Sequence, residues 1–222
     1  MAQLEIACFN LVSAIIAQEN GADRVELCDG ISVGGTTPTA EMILLAKRDL
    51  TIDVYVMIRP RGGDFVYSDE EFEQMKSEIQ AFKKLGVNGF VFGILNDDKS
   101  INKSQNEALV ELAQPFPCTF HRAFDEVSDA FKSLEDVIDC GFQTILTSGQ
   151  KPNVMEGVNQ LGILVEKANS RIVIMPGGGL RSSNIGFIQQ QTKANWFHSS
   201  AITEANETAN SNEIISLKSN LK

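Results

Sequence analysis

Short apolar runs recur at regular intervals through the first 200 residues, and between them the apolar positions change from alternation to a spacing of three and four. The runs at 4–8, 24–28, 53–58, 89–92, 118–121, 143–147, 172–175 and 196–198 read as eight β-strands, with starts 20 to 36 residues apart. Each interval can hold a loop, a helix and a return turn, as a parallel crossover requires. No hairpin turn joins consecutive runs, which argues against a sandwich.

The intervals carry helical patterns. Ser68 and Glu71 have the spacing of a capping box, and Phe72, Met75, Ile79, Phe82 and Leu85 follow on one face. Over 126–140, Phe131, Leu134, Val137, Ile138 and Cys140 form another stripe. Further helices are marked by Ala14 and Ala17, by Ile43, Leu44 and Ala46, by Leu109 and Leu112, by Leu161 and Leu164, and by Ile185 and Ile188. A weak repeat, in which a helix ends in glycine and turns into a strand, recurs at Gly21, Gly86 and Gly141. Glycine there tolerates the left-handed residue that closes a helix. Eight such units predict a single-domain α/β fold, a TIM-like (β/α)8 barrel over 1–202, with an open doubly wound sheet as runner-up. Residues 203–222 are polar apart from Ile214, Ile215 and Leu217, and read as a tail, either a short peripheral helix or frayed.

Strand alternation sorts the side chains into two faces. Glu5 and Ala7, then Arg24, Glu26 and Cys28, then Asp53, Tyr55, Met57 and Arg59, then Thr119 and His121 are expected inside the barrel. Cys8 falls on the helix side unless the first strand ends before it. Buried charges need partners, so Glu5 or Glu26 is expected to pair with Arg24 or Arg59. Such residues either fill a polar core layer or line a pocket at the strand ends.

His121 and His198 are the only histidines, and each ends a predicted strand on the side where barrels place their chemistry. A histidine there can move a proton, bind a metal or be structural. Glu26 or Asp125 would orient His121. Two glycine-bearing stretches, Thr147-Ser148-Gly149 and Gly177-Gly178-Gly179, offer backbone N–H groups to an anion, or serve as tight turns. A helix read from Asn184 adds positive potential beside the second stretch. Arg59, Arg61 and Arg122 are expected at the same mouth. The candidate catalytic set is therefore Glu5, Glu26, Arg59, His121, Asp125 and His198.

Charge narrows the range of partners. The 222 residues include 29 acidic and 19 basic side chains, a formal net charge of −10, which disfavours nucleic acid and anionic membrane surfaces. No apolar run approaches the ~18 residues of a membrane span. The amino terminus lacks the pattern of a signal peptide, so a cytoplasmic protein is expected. Cys8, Cys28, Cys118 and Cys140 match no zinc or redox spacing and read as reduced thiols.

Several stretches together resemble the CutC family. They are Glu5-Ile6-Ala7-Cys8, Gly21-Ala22-Asp23-Arg24-Val25-Glu26-Leu27-Cys28, Gly34-Gly35-Thr36-Thr37-Pro38 and Met57-Ile58-Arg59-Pro60-Arg61-Gly62-Gly63-Asp64-Phe65. Farther along come Phe120-His121-Arg122-Ala123-Phe124-Asp125, Ile145-Leu146-Thr147-Ser148-Gly149, Ile174-Met175-Pro176-Gly177-Gly178-Gly179 and Phe197-His198-Ser199-Ser200-Ala201. The resemblance implies a TIM-like barrel, a cytoplasmic location and a role in copper homeostasis, with Cu(I) binding in some members assigned to cysteines. Here Cys28 and Cys8 fall in family motifs and would be the metal ligands. The chain departs from the family pattern after Ala201, where members carry a longer segment. The expected partners are a copper ion or a small anion, and a second copy in a homodimer. Two other functions stay open beside copper homeostasis: a lyase, isomerase or hydrolase acting on a small phosphorylated or carboxylated substrate, and a structural or interaction protein.

Overall fold

A computed structural model describes residues 2–221. Strands and helices alternate throughout. The strands are β1 Gln3–Cys8, β2 Arg24–Leu27, β3 Asp53–Met57, β4 Gly89–Phe92, β5 Cys118–Phe120, β6 Thr144–Thr147, β7 Val173–Pro176 and β8 Trp196–Ser199. The helices are α1 Leu11–Glu19, α2 Ala40–Asp49, α3 Asp69–Lys83, α4 Lys103–Ala113, α5 Ala130–Asp139, α6 Val158–Ala168, α7 Ser182–Thr192 and α8 Ser211–Asn220. All strand pairs are parallel, in the order β7-β6-β5-β4-β3-β2-β1-β8, and β7 lies against β8 to complete a TIM-like (β/α)8 barrel.

The pattern of the chain explains these elements. Ser68 and Glu71 form the capping box at the start of α3, with Met75, Ile79 and Phe82 buried behind it. Gly21, Gly86 and Gly141 follow α1, α3 and α5 with φ of +94°, +78° and +90°, the left-handed region that glycine enters without steric cost. Leu4, Ile6, Val25, Leu27, Val54, Val56 and Ile58 pack outward under the helices. Cys28, Tyr55, Met57 and Val91 form a separate cluster inside the barrel.

Two segments differ from their sequence patterns. The 126–140 stripe begins its helix only at Ala130, because the Asp129 carboxylate accepts from the Phe131 and Lys132 amides and fixes the start there. Phe131 is consequently 40% exposed, and residues 122–126 form a 3-10 turn that carries Arg122 and Asp125. In the tail, α8 is capped by Asn210 and fully buries Ile214 and Leu217, while Ile215 stays exposed. It packs against α7 and α1.

Candidate functional site

The strand register builds the site from its floor. Glu5 on β1 lies opposite Arg24 on β2 and opposite His198 on β8. Arg24 Nε donates to Glu5 Oε2 at 2.5 Å, and its guanidinium is sandwiched between the rings of Tyr55 (3.9 Å) and Trp196 (4.2 Å). His198 Nδ1 lies 2.7 Å from Glu5 Oε1. Burial alone would push the Glu5 carboxyl upward, but Arg24 and His198 outweigh it and hold the value near 2. Both Glu5 oxygens are thus engaged. Burial opposes a charge on His198, yet its bond to Glu5 and the nearby Glu26 leave its pKa raised.

One layer higher, Glu26 lies opposite the small Ala7 and brings Oε2 within 3.9 Å of His198 Nε2. The Cys28 thiol donates to the same oxygen at 3.4 Å. Burial raises the Glu26 pKa, and its Oε1 is buried without a partner among the described residues. Glu5, Glu26 and His198 each present a ligand atom within 4.8 Å of the others, so this buried cluster can hold a metal ion. Two carboxylates and an imidazole suit borderline and hard divalent ions, whereas Cu(I) prefers thiolates.

Above this floor a cavity opens at the carboxyl ends of the strands, lined by Glu26, Cys28, Arg59, Phe65, His121, Arg122, Gly178, Gly179, Arg181 and His198. Eight of these, namely Glu26, Cys28, Arg59, His121, Arg122, Gly178, Gly179 and His198, are residues that the sequence singled out. Phe65 and Gly93 gave no chemical signal. Phe65 stacks on His121, with ring centroids 4.9 Å apart, and lies under the Arg59 guanidinium at 4.7 Å. A side chain at Gly93 would reach His121 Nδ1 at 2.9 Å, so that glycine makes room for the imidazole.

Several expected contacts are replaced by others. Arg59 pairs with neither Glu5 nor Glu26, because Arg24 lies nearer and takes Glu5. Arg59 instead donates from Nη1 to the Val33 and Gly35 carbonyls, both at 2.8 Å, and from Nη2 to Gly63 at 3.0 Å. His121 is oriented by neither Glu26 nor Asp125. Its Nδ1 accepts from the Ala123 amide at 3.3 Å, and its buried Nε2 has no partner among the described residues. Burial, reinforced by Arg59, depresses its pKa to about 3. Burial thus favours the neutral imidazole, and the Ala123 contact to Nδ1 leaves the ring proton on Nε2.

The Thr147-Ser148-Gly149 loop already holds an anion of its own chain. Asp125 Oδ1 accepts from the Thr147 hydroxyl at 2.5 Å and from the Ser148 and Gln150 amides, while the Gly149 amide donates to Thr147 Oγ1. Asp125 also pairs with Arg122 at 2.8 Å. Arg61 lies outside the cavity, where Glu71 and Asp64 take its charge and the Val66 carbonyl accepts from it. The Gly177 amide donates to the Thr147 carbonyl. Gly178 and Gly179 remain, with amides lacking a partner among the described residues. The start of α7 is at Ser182 rather than Asn184, and its first amide donates to Glu213 from α8.

The two motif cysteines do not meet. Cys8 packs in the outer layer with Leu4 and Ile6, and its thiol donates to the Ile6 carbonyl, whereas Cys28 faces the barrel interior. Adjacent strands bring their backbones together, but alternation sends the side chains to opposite faces. Burial, followed by the neighbouring glutamates, raises both thiols well above their ordinary pKa. The arrangement does not fit a two-thiolate Cu(I) site.

A closed parallel barrel with a polar cavity at the carboxyl ends of its strands defines the class, a TIM-barrel protein with a small-ligand pocket. The chain belongs to the CutC family, which it matches over residues 2–203. It is 45% identical over 198 residues to the human copper homeostasis protein cutC homolog, covering 89% of this chain and 72% of that protein. A CutC family protein of Vibrio campbellii is 45% identical over 203 residues, covering 90% and 82% of the two chains. The crystal structure of the putative copper homeostasis protein CutC from Streptococcus agalactiae superposes with a TM-score of 0.87 at 38% identity, covering 91% of this chain and all of that one.

Proposed function

We propose that the barrel mouth is the active site of an enzyme that transfers a proton on a small phosphorylated or carboxylated substrate, as a lyase, isomerase or hydrolase does. The observation that carries this reading is the pairing of two acid–base groups with a cationic wall in one cavity. Glu26 and His198 lie 3.9 Å apart with their pKa values displaced upward, and Arg59 lines the same pocket. A carboxylate with a raised pKa is a stronger base near neutral pH. In this reading Glu26 removes the substrate proton. His198 Nε2 returns it, with Nδ1 held by a Glu5 that Arg24 keeps ionised. The neutral His121 Nε2–H donates to an oxygen that gains charge in the transition state.

The test is calorimetric titration with phosphate and small sugar phosphates, followed by solvent deuterium exchange into whichever compounds bind. Glu26→Gln should keep binding and lose exchange. Absence of binding at millimolar ligand, or exchange unchanged in Glu26→Gln, would sink the reading.

A second reading, metal handling, is favoured by the Glu5–Glu26–His198 cluster and by the copper homeostasis named for the relatives. The oxygen and nitrogen donors suit Cu(II), and Cys28 is the one thiol beside them. A Cu(II)-chelator competition in which both Cys28→Ser and Glu26→Gln leave the affinity unchanged would remove it.

A further inference from the structure

We propose that the pocket is built for a substrate with two anionic ends, a carboxylate held by Arg59 and His121 and a phosphate held by the Gly178–Gly179 turn with Arg122. The inference rests on the reading of the mouth as a site for a small anionic substrate, and it specifies the class of that substrate.

Arg59 is 5% exposed, and the three partners of its guanidinium are all neutral carbonyls. They fix the fork in place without compensating its charge. The other deeply buried guanidinium, Arg24, has Glu5. A buried cation with no carboxylate partner is costly unless an anion joins it, and Arg59 Nε, near the Tyr67 side chain, is buried with no hydrogen bond among the described residues. His121 adds a second donor, because Ala123 occupies Nδ1 and the proton sits on the unpartnered Nε2. Both groups lie against the one ring of Phe65. Two unpartnered N–H donors and one uncompensated positive charge match a carboxylate, which is a monoanion with two accepting oxygens.

A phosphate needs more donors, and the opposite wall supplies them. The Gly178 and Gly179 amides are successive and unengaged among the described residues. The Arg122 guanidinium stands 3.0 Å from where a Gly178 Cβ would be, oriented by Asp125 and Ser148. The loops after the seventh and eighth strands of such barrels commonly hold phosphate. Glu26 and His198 line the same cavity, so a substrate anchored at both ends would present its central carbons to them.

Calorimetry on the whole protein tests the proposal with phosphoglycolate, 3-phosphoglycerate and 4-phosphoerythronate, compared with glycerol 3-phosphate. At least one phosphorylated acid should bind about tenfold more tightly than glycerol 3-phosphate. Arg59→Met should erase that preference and leave glycerol 3-phosphate binding within about twofold. His121→Phe keeps a ring against Phe65, removes the N–H donor and should weaken the preference, so it stands in should Arg59→Met fail to fold. Equal binding of glycerol 3-phosphate and all three acids would overturn the two-ended substrate and leave the anion-site reading standing, as would a preference that both variants retain. No binding of any of these compounds or of phosphate at millimolar concentration would overturn both.

Discussion

Glu5 and Arg24 face each other across the β1–β2 ladder and close a buried 2.5 Å ion pair beneath His198. Removing the cation strands a fully buried carboxylate, so Arg24→Met should cost about 3–5 kcal/mol in urea melts at pH 7. Adding Glu5→Gln should recover part of that loss. Arg59→Met strands no carboxylate and breaks bonds only to carbonyls, so its cost should be smaller, about 1–3 kcal/mol. The reverse ranking of the two arginines would contradict the assigned partners.

Acid should act on the fold through His121 before it reaches Glu5. The unfolded chain protonates this histidine near 6.5, whereas the folded chain resists until about 3. The unfolded state binds the extra proton between those values, so stability falls as pH drops below 6.5, by about 1.4 kcal/mol per pH unit from this group. Glu5 is depressed to about 2 from 4.5, so its contribution is present above pH 4.5 and is lost only as pH falls towards 2. His198, whose pKa is raised, contributes below 6.5 and loses that contribution as pH rises through its folded value. Denaturant melts of His121→Phe from pH 6.5 to 4.5 should therefore decline less steeply than wild type by about one proton. Parallel curves would show that the imidazole is not buried in its neutral form.

Periodicity made the barrel legible, because burial on one face of a strand or helix repeats along the chain. The same alternation put Glu5, Arg24, Glu26 and Cys28 on inward faces and Cys8 on the outer one. It says which face a side chain takes but not which partner it meets there. Arg24 and Arg59 were equal candidates for Glu5 in the sequence, and only the register separates them. The loops were less legible still. Asp125 occupies the Ser148 amide expected to bind a ligand, and Glu213 reaches from the last helix to the start of α7. Both contacts depend on loops and helices meeting across more than 20 residues of chain, which no local spacing encodes.

The four cysteines should be silent in the native state. Each is at most 4% exposed, and burial raises the pKa of each thiol, Cys118 and Cys140 to about 12. A thiol needs its thiolate form to react, so a chromogenic disulfide reagent should release no signal at pH 7.5 until denaturant is added, then four equivalents per chain. Fast native labelling of Cys28 would show that the pocket admits the reagent and that the thiol ionises there.

The polar tail should contribute to barrel stability through one carboxylate. Glu213 accepts from the Ser182 amide and from the Ser182 hydroxyl, both at 2.7 Å, and so caps the start of α7 from α8. Glu213→Ala removes a charged cap and should cost about 1–2 kcal/mol, with Ser182→Ala adding little on top because the two share the interaction. Full additivity of the two substitutions in a thermal or urea melt would argue against the shared cap.

Two glycines at the same rim should respond in opposite ways, and the contrast locates the anion site. At Gly149, φ is +76° and a Cβ would stand 2.6 Å from the Gly157 carbonyl oxygen, but the amide is already committed to Thr147 Oγ1. Gly149→Ala should therefore lower the melting temperature and leave phosphate affinity within about twofold, once the folded fraction is accounted for. At Gly178, φ is +100°, the amide has no partner among the described residues, and a side chain would press on the Arg122 guanidinium at 3.0 Å. Because Asp125 and Ser148 hold Arg122 from behind, it cannot withdraw without breaking those bonds. Gly178→Val should therefore displace both the amide and the cation that an anion would contact, and phosphate affinity by calorimetry should fall by about tenfold or more. Should Gly149→Ala weaken phosphate binding as much as Gly178→Val, the anion would have to sit on the Thr147–Gly149 loop, in competition with Asp125.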